Sequence, residues 1–240
     1  FGDIDRLHKV FPALCAYAKW WRLNRTWPDG TYWSSGWGTG MDNMPRVKPE
    51  YNPIFSHGHM VWLDTNLQQM LVDESLLNIG FYIERWQEIE DMEDEMKRLR
   101  AYVNEHLWDE RTAFLYDRYG DGTLCTTNGI GAFWALQADA LDRERLDRMV
   151  AHLSDTTEFD RPHRVPSLSA DHPKYNPLGR YWQGGVWPGT NYMTIDGLYR
   201  KGYHDLAREI AANHYAAVFE VWKNTGTFWE YYAPEKIEPG

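Results

Sequence analysis

Cysteine is scarce: Cys15 and Cys125 are the 2 in 240 residues. That excludes a disulfide framework and leaves both as free thiols. No apolar run approaches the ~18 residues of a membrane helix. Basic residues are outnumbered, 25 Lys and Arg against 35 Asp and Glu, for a formal charge of -10. The basic stripe of a nucleic-acid binder is therefore missing. There is no Gly-x-Ser-x-Gly elbow, and Gly36, Gly38 and Gly40 lack the Lys-Ser/Thr that completes a phosphate loop. His57-Gly58-His59 is the tightest His pair, and no Cys or acid cluster completes a metal set around it. It reads as helix entry or packing, so neither metal nor cofactor is expected.

Aromatic residues are abundant instead. The chain has 13 Trp, 15 Tyr and 9 Phe, 15% of its residues. Many of the Trp adjoin Gly, Pro, Ser or Asp rather than sitting in apolar runs. An aromatic beside a turn residue offers a flat apolar face and a polar edge, which suits the CH faces and hydroxyl rims of sugars. A Trp-rich core is the alternative for any single one of them. With 43% hydrophobic and 25% charged residues the composition is that of a globular chain.

Periodicity predicts an all-α protein of about seven helices. Ile4, Leu7, Phe11, Leu14, Ala18 and Trp21 line one face of a helix from Asp3 to Leu23, and Cys15 reads as a small core residue on it. Further helices are expected over His59–Phe81, from Ile83 or Glu88 to Leu107, and over Asn128–Ala138, Arg143–Leu153, Thr190–Arg200 and Tyr203–Trp222. Trp108–Leu124 reads as a hairpin turning at Asp121-Gly122. Its acids, Asp109, Asp117 and Asp121, lack calcium-loop spacing and read as turn residues. Three long Gly- and aromatic-rich loops, Asn24–Ser56, Ser154–Gly185 and Lys223–Gly240, separate the helix pairs. Loops gathered at one end of a helical scaffold are a natural place for a site.

Each loop carries candidates. The first has Asp42 among glycines, aromatics and Met, surroundings that exclude water and favour a protonated carboxyl. Arg46, four residues on, could instead hold Asp42 ionised, and a turn-capping Asp remains open. The second, Arg180 to Pro188, is a wall of aromatics with Gln183 and no acid, readable as a binding surface or as a buried hinge. The third encloses Glu230 among four aromatics, and a carboxylate so placed needs a partner, a proton or a task. Glu235, after Pro234, reads as the more exposed acid. Two carboxyls on separate loops are the inventory of glycosidic hydrolysis.

Three motifs, in order, carry a resemblance. They are Gly38-Thr39-Gly40-Met41-Asp42-Asn43-Met44-Pro45-Arg46, Tyr181-Trp182-Gln183-Gly184-Gly185-Val186-Trp187-Pro188-Gly189-Thr190-Asn191-Tyr192, and Thr227-Phe228-Trp229-Glu230-Tyr231-Tyr232-Ala233-Pro234-Glu235. Together they resemble glycoside hydrolase family 63, in its mannosylglycerate-hydrolase-like branch, related to trehalase and processing α-glucosidase. The resemblance implies an (α/α)6 toroid and inverting hydrolysis of an α-glycoside. Asp42 falls at the family's general acid and Glu230 at its general base. Trp37, Tyr181, Trp182, Gln183 and Trp187 match positions that line the sugar pocket. Asn43 and Arg46 belong to the acid motif.

A full toroid has about twelve helices. Residues 1–240, which begin with Phe1, are therefore expected to form a single catalytic domain shortened at both ends, with apolar helix faces left bare. A small saccharide substrate follows from the resemblance, with no nucleic acid and no membrane as partners. A second copy or a complementing chain is expected to cover the open ring. An inactive sugar-binding or assembly module of the same fold is the alternative, and a glycoside phosphorylase is a third. Glycosylglycerate as substrate calls for a carboxylate reader, Arg46 or Arg180; trehalose or an α-gluco-oligosaccharide calls for none. Compartment is left open, with scarce Cys and no signal-like start leaning to the cytoplasm.

Overall fold

A computed structural model describes residues 3–240, so Phe1 lies outside the described residues. The architecture is an incomplete all-α toroid. In chain order the elements are α1 (Ile4–Asn24), α2 (Gly36–Thr39), β1 (Met60–Val61), α3 (Leu63–Tyr82), α4 (Glu90–Tyr102), β2 (Trp108–Asp109), β3 (Phe114–Leu115), β4 (Arg118–Tyr119), a 3-10 helix (Ile130–Leu136), α5 (Arg143–Ala151), α6 (Pro188–Arg200) and α7 (His204–Thr225). Among the described residues no helix is long and apolar enough to cross a membrane.

α3 is the hub. It packs on α1 and α4 on one side and on the 3-10 helix on the other, which leads on to α6 and then α7. This position explains its composition: Leu63, Leu67, Met70 and Leu76 are buried, but so are Asp64, Thr65, Asn66, Gln69 and Asp73. The first half of the helix, covered on several sides, has no polar face to give to solvent, whereas Glu74, Ser75 and Asn78 further along are exposed. The buried polar side chains must find partners inside.

The helices stand close to where periodicity puts them, with instructive shifts. α3 starts at Leu63 because residues 60–61 are spent in β1 and the buried Asp117 accepts from the Leu63 N–H at 2.8 Å. Asp117 is thus a helix cap from a distant hairpin rather than a turn residue. The hairpin itself pairs β2 with β3, whereas β4 crosses to β1, putting Met60 opposite Tyr119. Residues 130–136 form a 3-10 run rather than an α-helix. It is wedged between tight approaches: a methyl on Gly131 would press on Asp64, and Leu136 sits against Gly197.

α1 differs more. Phe11, Cys15 and Ala18 are buried, but Ile4 and Leu14, expected inward, are exposed, together with Val10, Tyr17, Trp20 and Leu23. The helix is apolar on two sides, one against α3 and one bare. α7 shows the same pattern at the other end of the arc. Tyr215, Phe219, Trp222 and Phe228 form an exposed ladder of stacked rings with centroids 5.7–6.3 Å apart. These are the bare faces that a shortened ring implies.

Between α1, α3 and α4 lies an acidic cluster. Glu95 accepts from Tyr32 Oη at 2.7 Å and from Arg22, while Asp73 holds only Gln69 Nε2, at 2.9 Å. Burial, reinforced by Glu95, pushes the Asp73 carboxyl up to about 8. The unfolded chain gives up this proton near pH 4 and the folded one near 8. Asp73 therefore costs stability increasingly as pH rises through that window. Asp73→Asn is expected to raise stability at pH 8 by about 2 kcal/mol and to change little at pH 4. Thermal melts of both proteins across that range check it; an equal shift at both ends would point away from the proton.

Candidate active site

The acid motif is fixed from beneath. Ser35 caps α2 by accepting from Gly38 N at 3.2 Å, and Gly40 closes it in the left-handed region at φ 74°. Gly36 must be glycine, since a Cβ there would collide with the Pro53 carbonyl and the Asp42 backbone. Asp42 follows, half-buried between the buried Met41 and Met44.

Arg46 does not reach Asp42. It is 5% exposed, donates to Asp64 Oδ2 at 2.9 Å and Thr39 Oγ1 at 2.8 Å, approaches Asp117 Oδ2 at 3.7 Å, and stacks over Trp62 at 4.1 Å. Its carbonyl accepts from Tyr119 Oη and Cys125 Sγ, and the Pro45 carbonyl accepts from Thr127 Oγ1. Arg46 makes no ion pair with Asp42; two buried carboxylates, Asp64 and Asp117, hold it in the floor. Burial raises Asp117 to about 6 in spite of the Arg46 charge beside it. Asp64 and Asp117 are the residues that sequence reasoning missed. Their one signal was acids within otherwise apolar stretches.

Asn43 faces the second loop. Its Nδ2 donates to the Arg180 carbonyl at 3.0 Å, and its Oδ1 accepts from Trp182 N at 2.8 Å. Gln183 Nε2 reaches the Asn43 carbonyl at 3.4 Å. Between these bonds, Arg180 and Tyr181 both sit at positive φ, 39° and 66°.

The aromatic wall is largely packed against itself. Trp182 and Trp187 stack at 4.0 Å with 4° between planes, and Trp187 stacks on Tyr231 at 5.0 Å. Trp187 thus stacks with two neighbouring rings. Tyr181 stands edge-on to Trp187 at 4.9 Å and to Tyr231 at 5.6 Å. Trp182 is buried with an indole N–H that has no partner. Trp37, on the first loop, is 68% exposed and stacks on Phe55.

The third loop is tied to the second. Val186 and Tyr232 exchange both backbone hydrogen bonds, at 2.9 and 3.0 Å. Further on, Glu235 pairs with Arg161 at 2.7 and 3.0 Å and accepts from Tyr175 Oη at 2.7 Å, which holds its carboxyl below the usual range. Glu235 is thus a half-buried anchor, not the freer acid. Glu230 is exposed rather than enclosed, because its neighbours Phe228 and Trp229 are themselves 70% and 44% exposed. Burial, then the charges of Asp42 and Glu230, raise the Tyr181 phenol. Two open grooves flank the site. One, of about 520 Å3, borders Trp37; the other, of about 660 Å3, borders Trp229.

His57 and His59 lie away from this centre, ring to ring at 4.5 Å and packed on Trp27. Among the described residues no group of three or more His, Cys, Asp or Glu is placed to hold a metal ion.

An arc of helical pairs with two acids on joined aromatic loops defines a glycoside hydrolase domain of the toroid class. The chain belongs to the family of the mannosylglycerate hydrolase MGH1-like glycoside hydrolase domain, whose description matches residues 2–239, within glycoside hydrolase family 63. It is similar to an uncharacterized protein of Borreliella burgdorferi, 25% identical over 99% of this chain and 49% of that one. It is also similar to a probable mannosyl-oligosaccharide glucosidase of Schizosaccharomyces pombe, 23% identical over 97% of this chain and 32% of that one. In fold it matches the family 63 mannosylglycerate hydrolase of Thermus thermophilus solved with glucose, at TM-score 0.84 and 21% identity, covering 99% of this chain and 65% of that one. The chain thus spans half or less of those two relatives and about two thirds of the solved chain.

Proposed function

We propose that this domain hydrolyses an α-glycosidic bond with inversion, Asp42 acting as general acid and Glu230 as general base. One observation carries the reading. The two carboxyls come from loops far apart in sequence, yet Asn43 bonds the first loop to residues 180 and 182, and Val186 bonds that segment to Tyr232 in the third. Asp42 gives its proton to the leaving glycosidic oxygen as the bond to the anomeric carbon breaks. Glu230 takes a proton from a water, whose oxygen attacks that carbon from the opposite face. Room for the water calls for carboxyls roughly 6.5–9.5 Å apart.

The substrate we infer is a small glycoside of glycosylglycerate type. The Thermus relative, with its name and bound glucose, supports this. Of the two carboxylate readers expected, Arg46 is committed to Asp64, whereas Arg180 is exposed beside the aromatic wall. A complementing helical chain over the bare faces of α1 and α7 is part of this reading. A panel of α-linked disaccharides and glycosylglycerates, with the product anomer followed by NMR, tests it. Turnover of a glycosylglycerate with release of the inverted anomer is the expected result; a retained anomer overturns the mechanism. Saccharide binding without turnover of any member would instead favour a sugar-binding module, a reading that the exposure of Glu230 supports.

A further inference from the structure

We propose that Asn43 is a positioning residue that clamps the backbone on either side of Tyr181 and thereby fixes the spacing of the loops that carry Asp42 and Glu230. The proposal rests on the hydrolytic reading above for its catalytic consequence, but not for the clamp itself.

The geometry is specific. A side-chain amide has one donor end and one acceptor end. Asn43 spends the donor on the carbonyl of residue 180 and the acceptor on the N–H of residue 182, at 3.0 and 2.8 Å. Those two groups bracket residue 181, so one planar amide grips the backbone on both sides of Tyr181. What it grips is unfavourable by itself. Two successive non-glycine residues at positive φ cost about 1–2 kcal/mol each, and such backbone persists only when its surroundings over-determine it. Leu178 and Arg180 are exposed, so packing on that side of the loop is thin. Gly185 completes the turn by donating to the carbonyls of Gly179 and Tyr181, both at 3.1 Å, where a Cβ would collide with the Tyr181 carbonyl.

The grip is relayed. Five residues beyond Tyr181, Val186 is locked to Tyr232 by paired backbone bonds, and Tyr232 Oη accepts from Trp229 N at 3.2 Å. A path of hydrogen bonds and short backbone segments therefore runs from the residue after Asp42 to the residue before Glu230. The sequence separations along it, 137 and 139 residues at the clamp, mean that nothing local sets this spacing.

Amide exchange and kinetics on the 240-residue chain separate the cases. In Asn43→Ala the Trp182 amide should exchange about tenfold faster, with faster exchange at Val186 and Tyr232 and no change in α3. Asn43→Asp keeps the acceptor for Trp182 N and sets an oxygen against the Arg180 carbonyl. It should retain Trp182 protection while loosening residues 179–181. If wild type turns over, Asn43→Ala should lower kcat about a hundredfold with KM changed less than about fivefold. Unchanged Trp182 protection in Asn43→Ala, or a uniform rise in exchange over the whole chain, overturns the clamp. So does a loss carried by KM alone. Absence of turnover in wild type would sink the hydrolytic reading and leave the exchange experiment standing as the test of the clamp.

Discussion

Glu230→Gln is expected to lower hydrolysis by about a thousandfold or more on every α-glycoside the protein accepts, and Asp42→Asn to do so unevenly. The asymmetry follows from the two tasks. Removing the base leaves water to attack unaided, whatever sugar or aglycone departs. Removing the acid hurts only as much as the leaving oxygen needs a proton. A nitrophenolate departs nearly unassisted, so Asp42→Asn should retain much more activity on a nitrophenyl glycoside than on a glycosylglycerate. Neither residue has a packing role that would confound the result: Glu230 is exposed and Asp42 half-buried. Ligand affinity should stay within a few-fold of wild type in both variants. Steady-state rates on the two substrate types, with calorimetric binding, check this. Equal losses for Asp42→Asn on both substrates would remove it from the acid role, and full activity in both variants would remove the mechanism.

The second large effect concerns stability. Arg46→Met should destabilise the fold by about 3–5 kcal/mol, the range seen when one partner of a buried ion pair is removed. The cause is what stays behind. Asp64 is fully buried and Asp117 nearly so, and both lose the one cation that pairs with them among the described residues. Asp117 is already raised to about 6 with Arg46 present. Without it, the Asp117 carboxyl should hold its proton further into the neutral range. A raised carboxyl pKa contributes stability below the unfolded value and loses it as pH rises through the folded one. The defect should therefore be small near pH 4 and full above pH 7. Arg46→Met combined with Asp64→Asn should recover a substantial part of the loss, because one orphaned charge is gone. Urea unfolding at pH 5 and pH 8 checks both statements. A loss independent of pH would assign the effect to packing on Trp62 rather than to charge.

Much of this protein is legible in its sequence. Helix positions follow from apolar spacing, since burying one face is a local demand repeated every three or four residues. The two candidate acids stand out because each interrupts a Gly- and aromatic-rich loop. What the sequence reading mistook has one common cause. Arg46 lies four residues from Asp42, close enough to invite pairing, yet its partners are 18 and 71 residues away. Trp182 and Trp187 read equally as a binding surface or a buried hinge, and only the fold shows that each lies on the other's face. Glu235 read as free, but Arg161, 74 residues distant, claims it. In each case proximity in the chain was outweighed by proximity in space.

The sequence by itself therefore determined the helical class, the three loops and the family to which the chain belongs. Scarce cysteine, the missing basic stripe and the missing long apolar run had already narrowed the field. Tertiary structure alone decided which aromatics face one another, which cation the floor requires and how the acid and base loops are joined. The physical reason is the reach of each interaction. Periodic burial is set by neighbours within one helical turn. A buried charge or an unpaired amide takes whatever partner the fold brings within about 3 Å, at any distance along the chain.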